Sequence, residues 1–199
     1  MAKRVNPRHG SMQFWPRVRS KRQYARLRST PQVNEAGLLA FAGYKAGMTH
    51  VLARDNHKHS VTKGERIAIP VTVIECPPIK IASARFYAPS GYGRGVSQEL
   101  CFKTDKEFSR KTLSRKKLSS AADIDKVDLK LINDITITVY TQPKKTNIKK
   151  TPEIFEVPLG GSNEDKIAFI KDNLNKEILV SDVLKEGNYV DARSITKGK

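Results

Sequence analysis

The first 34 residues carry nine Lys or Arg side chains and no acid, and the first carboxylate of the chain is Glu35. A segment that repels itself along its length and shows no apolar periodicity cannot close a core of its own. Pro7, Gly10, Pro16 and Pro31 also interrupt any helix there. Folding therefore has to begin after this leader, and the leader needs a polyanion to order on. The net charge of +17 over 199 residues extends that demand to the whole chain.

Nucleic acid meets the demand better than a membrane does. Arginine outnumbers lysine in the leader, which suits planar, bidentate contacts to phosphate. Phe14, Trp15 and Tyr24 are interleaved with the arginines, and such aromatics stack on unpaired bases. A solubilising tail or a targeting signal is the plainer alternative, but neither calls for the single tryptophan of the chain. No apolar run approaches the roughly 18–20 residues of a membrane span. No basic amphipathic helix with an apolar face stands out, and no apolar stretch of signal-peptide type follows the charged start. Cys76 and Cys101 cannot make a disulfide framework and read as small buried hydrophobes in a reducing interior.

Glycine-bracketed apolar sequence begins at Leu38. Ala40 to Val51, with Gly43 and Gly47 inside it, reads as strand, bend, strand. The two glycines suit a backbone bend or a close approach. Asp55 to Ser60 is a polar turn in which His57 and His59 read as exposed loop residues, since no second ligand pair at metal spacing accompanies them. Strands are expected at Val71–Glu75, led in by Arg66–Pro70, and at Ile79–Tyr87. About four short strands between 38 and 88 argue for a small barrel or a sandwich. Ala88 to Gly95 has the spacing G-x-G-x-G, lacks a following helical pattern, and reads as a linker rather than a phosphate cradle.

From Val96 the texture changes. A short strand is expected at Gln98–Phe102. A helix is expected over Thr104–Leu118, with Thr104 and Glu107 at capping-box spacing. Ile132–Thr141 alternates as a strand, with Ile135, Ile137 and Val139 on one face and threonines on the other. Gln142–Pro152 is an exposed basic loop, and Pro152–Leu159 is another strand. Ser162 caps a helix to about Asn175, a helical turn covers Val180–Leu184, and Asn188–Ile195 is a last strand. This order suggests a split β-α-β layer of ferredoxin-like type.

Four stretches carry a family resemblance. They are Pro7-Arg-His-Gly-Ser-Met-Gln-Phe-Trp-Pro-Arg17, Phe41-Ala-Gly-Tyr-Lys-Ala-Gly-Met-Thr-His50, Pro70-Val-Thr-Val-Ile-Glu-Cys-Pro-Pro78, and Glu186-Gly-Asn-Tyr-Val-Asp191 with Thr196-Lys-Gly-Lys199. In this order they resemble the N-terminal part of large-subunit ribosomal protein three, in its archaeal and eukaryotic form. The resemblance runs over essentially the whole chain. It implies a translation-protein type β-barrel, incomplete in this sequence, with an inserted α+β ferredoxin-like domain and an extended basic N-terminal arm. The implied division is an rRNA-binding arm over 1–37, the first half of the barrel over 38–95, the inserted domain over 96–187, and a barrel strand leading into a basic excursion over 188–199. In the family a similar Thr-Lys-Gly-Lys sequence starts that excursion toward the peptidyl-transferase region. A second chain, or a segment outside this sequence, is expected to complete the barrel.

The implied function is that of a structural constituent of the large ribosomal subunit, located on cytoplasmic ribosomes. Its partners would be large-subunit rRNA and neighbouring large-subunit proteins, with no membrane. No cofactor is expected, and Mg2+ enters only as an rRNA-associated ion. The candidate RNA contacts on the arm are Lys3, Arg4, Arg8, His9, Phe14, Trp15, Arg17, Arg19, Lys21, Arg22, Arg26 and Arg28. Lys45, His50, Lys116, Lys117, Lys144, Lys145, Lys197 and Lys199 complete the set. A non-ribosomal RNA-binding regulatory module shares the electrostatics but does not account for the four motifs. Catalysis is not expected, because His50, His57, His59, Glu75, Cys76 and Asp191 form no spacing that chemistry requires.

Overall fold

The structure, a computed structural model, describes residues 10–15, 19–113 and 117–195. Two compact units form, one from residues 30–187 and one from residues 1–29 with 188–199.

The larger unit is mostly antiparallel sheet with few helices. Its strands are β1 (Gly37–Leu38), β2 (Tyr44–Arg54), β3 (Arg66–Glu75), β4 (Ile79–Ser90), β5 (Gly93–Cys101), β6 (Asp134–Thr141) and β7 (Ile154–Gly160). Five of them form an open sheet in the order β1-β7-β6-β4-β5, while β2 and β3 pair only with each other. The strands expected between 38 and 88 are thus divided between two sheets. Short helices α1 (Ala121–Ile124) and α3 (Val180–Val183) flank the longest one, α2 (Asn163–Asp172).

The core follows from the alternation on β6. Ile135, Ile137 and Val139 are 0% exposed and pack with Phe86, Ala84 and Ile81 of β4, Val157 and Leu159 of β7, and Ile167 and Ile170 of α2. The threonine face of β6 is buried too, at Thr136 and Thr138. There Glu156 accepts hydrogen bonds from Thr136 and Tyr87, at 2.5 Å each, and pairs with Arg85 at 3.0 Å. Helix α2 starts where its residues require. The Ser162 hydroxyl accepts from the Asp165 amide at 3.2 Å and the Asp165 carboxylate accepts from the Ser162 amide at 3.1 Å. Gly160 is needed at the end of β7, because a Cβ there would stand 2.5 Å from the Glu35 carbonyl oxygen.

Several expectations change. Ala40–Val51 is not strand, bend, strand: Tyr44–Arg54 is one strand with a β-bulge between Lys45 and Gly47. Gly43 does serve close approach, since a Cβ there would lie 2.3 Å from Ile74 Cγ2. The linker expected at 88–95 is the β4–β5 hairpin, with Gly91 and Tyr92 as its turn and Gly95 and Val96 adjacent within β5.

The helix expected from Thr104 is reduced, among the described residues, to a single 3-10 turn at Phe108–Arg110. Side-chain contacts hold this segment outside helical geometry. Asp105 accepts from Tyr140 and Lys80 at 3.0 Å each, and the Phe108 ring meets the Tyr140 ring edge-on at 5.2 Å. Leu113 and Leu118, apolar residues within the expected helix, are exposed. Finally, Asn188–Ile195 forms no strand. No strand edge pairs with it among the described residues, and Tyr189 and Val190 are exposed. The first helix and the last strand of the split β-α-β series are therefore both missing from the described residues.

Candidate nucleic-acid interface

The smaller unit concentrates charge that its single acid barely offsets. Residues 1–29 and 188–199 hold twelve Lys or Arg residues against the single acid Asp191, eleven of the seventeen net charges. Gly10 takes φ +85°, and Ser11 then caps a 3-10 turn over Met12–Phe14 by accepting from the Gln13 amide at 3.3 Å. Trp15 follows, 54% exposed, with its amide donating to the Met12 carbonyl at 3.0 Å. The described residues 19–29 form no helix or strand, and Arg19, Lys21, Arg22, Arg26 and Arg28 are all exposed. Asp191 is matched to Arg193 at 3.7 Å, and Arg193 donates to the Ser29 carbonyl at 3.3 Å. None of the five arm cations has a carboxylate partner among the described residues. Such a strand is suited to converging phosphates, with an aromatic face available for a base.

In the larger unit ten of the 23 described Lys and Arg residues are matched by acids. Lys144 pairs with Glu107 at 3.0 Å, Lys145 with Glu177, and Lys149 with Glu153. Lys149 also sits over the Tyr44 ring, 5.6 Å from its centroid. The basic loop is therefore less cationic than its composition. Lys80 lies between Asp105 at 3.0 Å and Glu177 at 3.5 Å. Burial pushes the Asp105 carboxyl up, but hydrogen bonds from Lys80, Tyr140 and Gln142 outweigh it and leave the group below the ordinary carboxylate range. Buried Lys166 on α2 pairs with Asp134 at 2.7 Å, and Arg94 holds the other oxygen of that carboxylate at 2.9 Å.

Lys45 and His50 lie on β2, and the bulge brings them together. Lys45 stands opposite Ile74, and His50 stands opposite Pro70. Counting across the bulge puts Lys45, Met48, His50, Leu52 and Arg54 on one face of the ribbon. Without the extra residue Lys45 would face the other way. The opposite face carries Val51, Ala53, Ile67, Ile69, Val71 and Val73. It is largely apolar, with Thr49 and Glu75 also on it, yet uncovered in places: Val51 is 47%, Ile69 41% and Val73 47% exposed. Tyr44 anchors this face, its hydroxyl 2.8 Å from the Thr141 hydroxyl. His57 and His59 are exposed at the ribbon tip, as the polar turn implied.

Of the other candidate contacts, Lys117 is exposed. Lys3, Arg4, Arg8, His9, Arg17, Lys116, Lys197 and Lys199, and the side chain of Phe14, lie outside the described residues. Sequence reading passed over Arg54 and Arg66, which β2–β3 pairing sets directly opposite each other. The signal was present as an arginine on each side of a polar turn, but only the register makes them neighbours. Both cysteines are half-buried and in no disulfide among the described residues, and burial with the nearby Glu75 charge pushes the Cys76 thiol up.

Known proteins bear on this geometry. The chain is 40% identical over its full length to the large ribosomal subunit protein uL3 of Methanothermobacter thermautotrophicus, and 41% identical to that of Methanosphaera stadtmanae. It is 38% identical over 97% of its length to that of Archaeoglobus fulgidus. It spans 61% of the length of the first two of these relatives and 59% of the third. The family model described as ribosomal protein L3 matches residues 1–199 without a gap at either end. An acid-free basic leader and a sheet-rich body with the glycine-bracketed strand of the four-motif pattern thus find one common origin, and the chain belongs to the ribosomal protein L3 family.

Proposed function

We propose that this chain is a structural constituent of the large ribosomal subunit that binds and stabilises large-subunit rRNA, chiefly through its N-terminal arm. The observation that carries the proposal is the segregation of charge. The five described arm cations are all exposed and without a carboxylate partner, while ten of the 23 described Lys and Arg residues of the body are tied to acids of the same chain. Arg19, Lys21, Arg22, Arg26 and Arg28 neutralise phosphates, and Trp15 stacks or wedges among bases. Lys3, Arg4, Arg8, His9, Phe14 and Arg17 extend the same arm. Lys45 and His50 on the ribbon, with Lys116, Lys117, Lys197 and Lys199, add contacts from elsewhere. Mg2+ takes part as a counterion of the rRNA, and no catalytic step is involved.

The β2–β3 ribbon is the part of a translation-protein barrel that this chain supplies, and the sheet built on β4–β7 with α2 is the inserted unit. On this reading the division lies near Cys76 rather than at 95/96, because β4 and β5 pair with each other within the five-stranded sheet. The apolar face at Val51, Ile69 and Val73 supports this reading. A two-stranded ribbon with such a face is marginal in water without a cover. The cover is polypeptide corresponding to the part of the relatives' length that this chain does not span.

Deleting residues 1–34 tests the main claim. Binding to protein-free large-subunit rRNA should weaken, and the dependence of log affinity on log salt should flatten by about 0.7 for each lost phosphate contact. An unchanged slope excludes the arm as the main contact. Co-sedimentation with large subunits at moderate salt separates the ribosomal role from that of a free RNA-binding module.

A further inference from the structure

The tip of the β2–β3 ribbon carries an arrangement that strand pairing by itself disfavours. Arg54 and Arg66 stand directly opposite each other, and like charges so placed destabilise a strand pair. Both are exposed, and neither meets a carboxylate among the described residues. Arg54 Nε donates to the Gly64 carbonyl at 3.2 Å, which leaves its two terminal nitrogens available. The acid next to Arg54 in the chain is already engaged. Asp55 is buried and accepts from the His57 amide at 2.9 Å and the Thr62 hydroxyl at 2.7 Å. Hydrogen bonds from Ser60, the His57 amide and Thr62 hold its carboxyl down at about 2, so it stays committed to the loop. Glu65, the other acid of the tip, forms no ion pair with either arginine among the described residues.

The turn that joins the two arginine-bearing strands is closed by backbone hydrogen bonds. The Asp55 amide donates to the Glu65 carbonyl at 3.1 Å, and the Gly64 amide donates to the Asp55 carbonyl at 2.8 Å, with Gly64 at φ +87°. Arg54 and Arg66 line a shallow concavity with Leu52, Ala53 and Gly64. They also end the ribbon face that holds Lys45 and His50, His50 lying roughly 13 Å along the strand from Arg54. Two planar forks borne on paired positions at the end of this face match the geometry of a phosphate with two acceptor edges.

We propose that Arg54 and Arg66 form a clamp for one backbone phosphodiester of RNA, whose charge relieves their cross-strand repulsion. The clamp rests on the rRNA-binding reading and adds to it a site far along the chain from the arm.

The test measures affinity of the full chain for protein-free large-subunit rRNA across a salt series, together with thermal unfolding. Native chain is compared with Arg66→Thr, Arg66→Lys and the control Lys130→Thr, which removes an exposed cation away from the ribbon. Arg66→Thr should bind about tenfold more weakly, with a salt slope shallower by about 0.7. Its unfolding midpoint should stay level or rise, because a repulsion is removed and threonine suits a strand. Arg66→Lys should keep the slope and lose about threefold in affinity, the fork being replaced by a point charge. Lys130→Thr should stay within about twofold of native, as expected of a cation with no phosphate partner.

Native affinity and slope in Arg66→Thr overturn the clamp alone, as does a loss no larger than that of Lys130→Thr. If Arg66→Thr lowers the midpoint, Arg66→Lys decides: reduced affinity at retained slope supports the clamp, and unchanged affinity overturns it. A native chain that does not bind the rRNA overturns the rRNA reading and the clamp together.

Discussion

Trp15 and the loop lysines show how differently residues of similar promise in the sequence are used. Trp15 is half exposed at the end of a capped 3-10 turn, beside arginines with no acid to hold them. Lys144 and Lys145 look as available in the sequence, yet they already face Glu107 and Glu177. To reach a phosphate, each would have to exchange one anion for another. Trp15→Ala should therefore weaken rRNA binding by about tenfold, since base stacking contributes about 1–3 kcal/mol. The pair Lys144→Ala and Lys145→Ala should cost less than about threefold, in line with the small worth of exposed ion-pair cations. Filter binding at one fixed salt concentration measures both, and equal losses would make the aromatic a bystander.

At the scale of elements, the polar side of the central sheet is a built network rather than a solvated face. Glu156 on β7 ties Tyr87 and Arg85 of β4 to Thr136 of β6. Burial pushes its carboxyl up, but the hydrogen bonds from Thr136 and Tyr87 and the Arg85 charge outweigh that and hold it below its ordinary value of 4.5. A carboxyl lowered on folding stabilises the fold above the unfolded value, and that contribution is lost as pH falls through the folded one. Glu156→Gln should cost about 1–2 kcal/mol at pH 7, and the gap to native should narrow below about pH 4.5. Urea midpoints at neutral and acid pH provide the measurement; a gap independent of pH would mean that the charge of Glu156 contributes nothing. The alternation that located β6 was plain in the sequence. The burial of its threonine face was not, because it depends on which acids and arginines neighbouring strands bring across, and register is not written in periodicity.

For the molecule as a whole, the ribbon and the five-stranded sheet differ in how completely each covers its own apolar residues. The sheet buries Ile135, Ile137, Val139 and Val157 entirely. The ribbon leaves Val51, Ile69 and Val73 substantially open, and its outer backbone edges have no strand beside them among the described residues. In the isolated chain, amides of β2 and β3 should exchange with solvent much faster than those of β6, and they should become protected in the assembled subunit. Equal protection in the free chain would show that the ribbon needs no further polypeptide.

The sequence by itself determined where a core was possible and where it was not. Thirty-four acid-free residues preclude one, period-two stretches at β4, β6 and β7 require one, and Ser162 with Asp165 starts α2 because capping is chemistry between near neighbours. Tertiary structure alone decided which cations remain free, that Thr104–Leu113 stays out of a helix, that Lys45 shares a face with His50, and that Arg54 meets Arg66. Each of these depends on strand register or on a partner distant in the chain. Moving a register by one residue reverses every face while leaving the local pattern of residues unaltered.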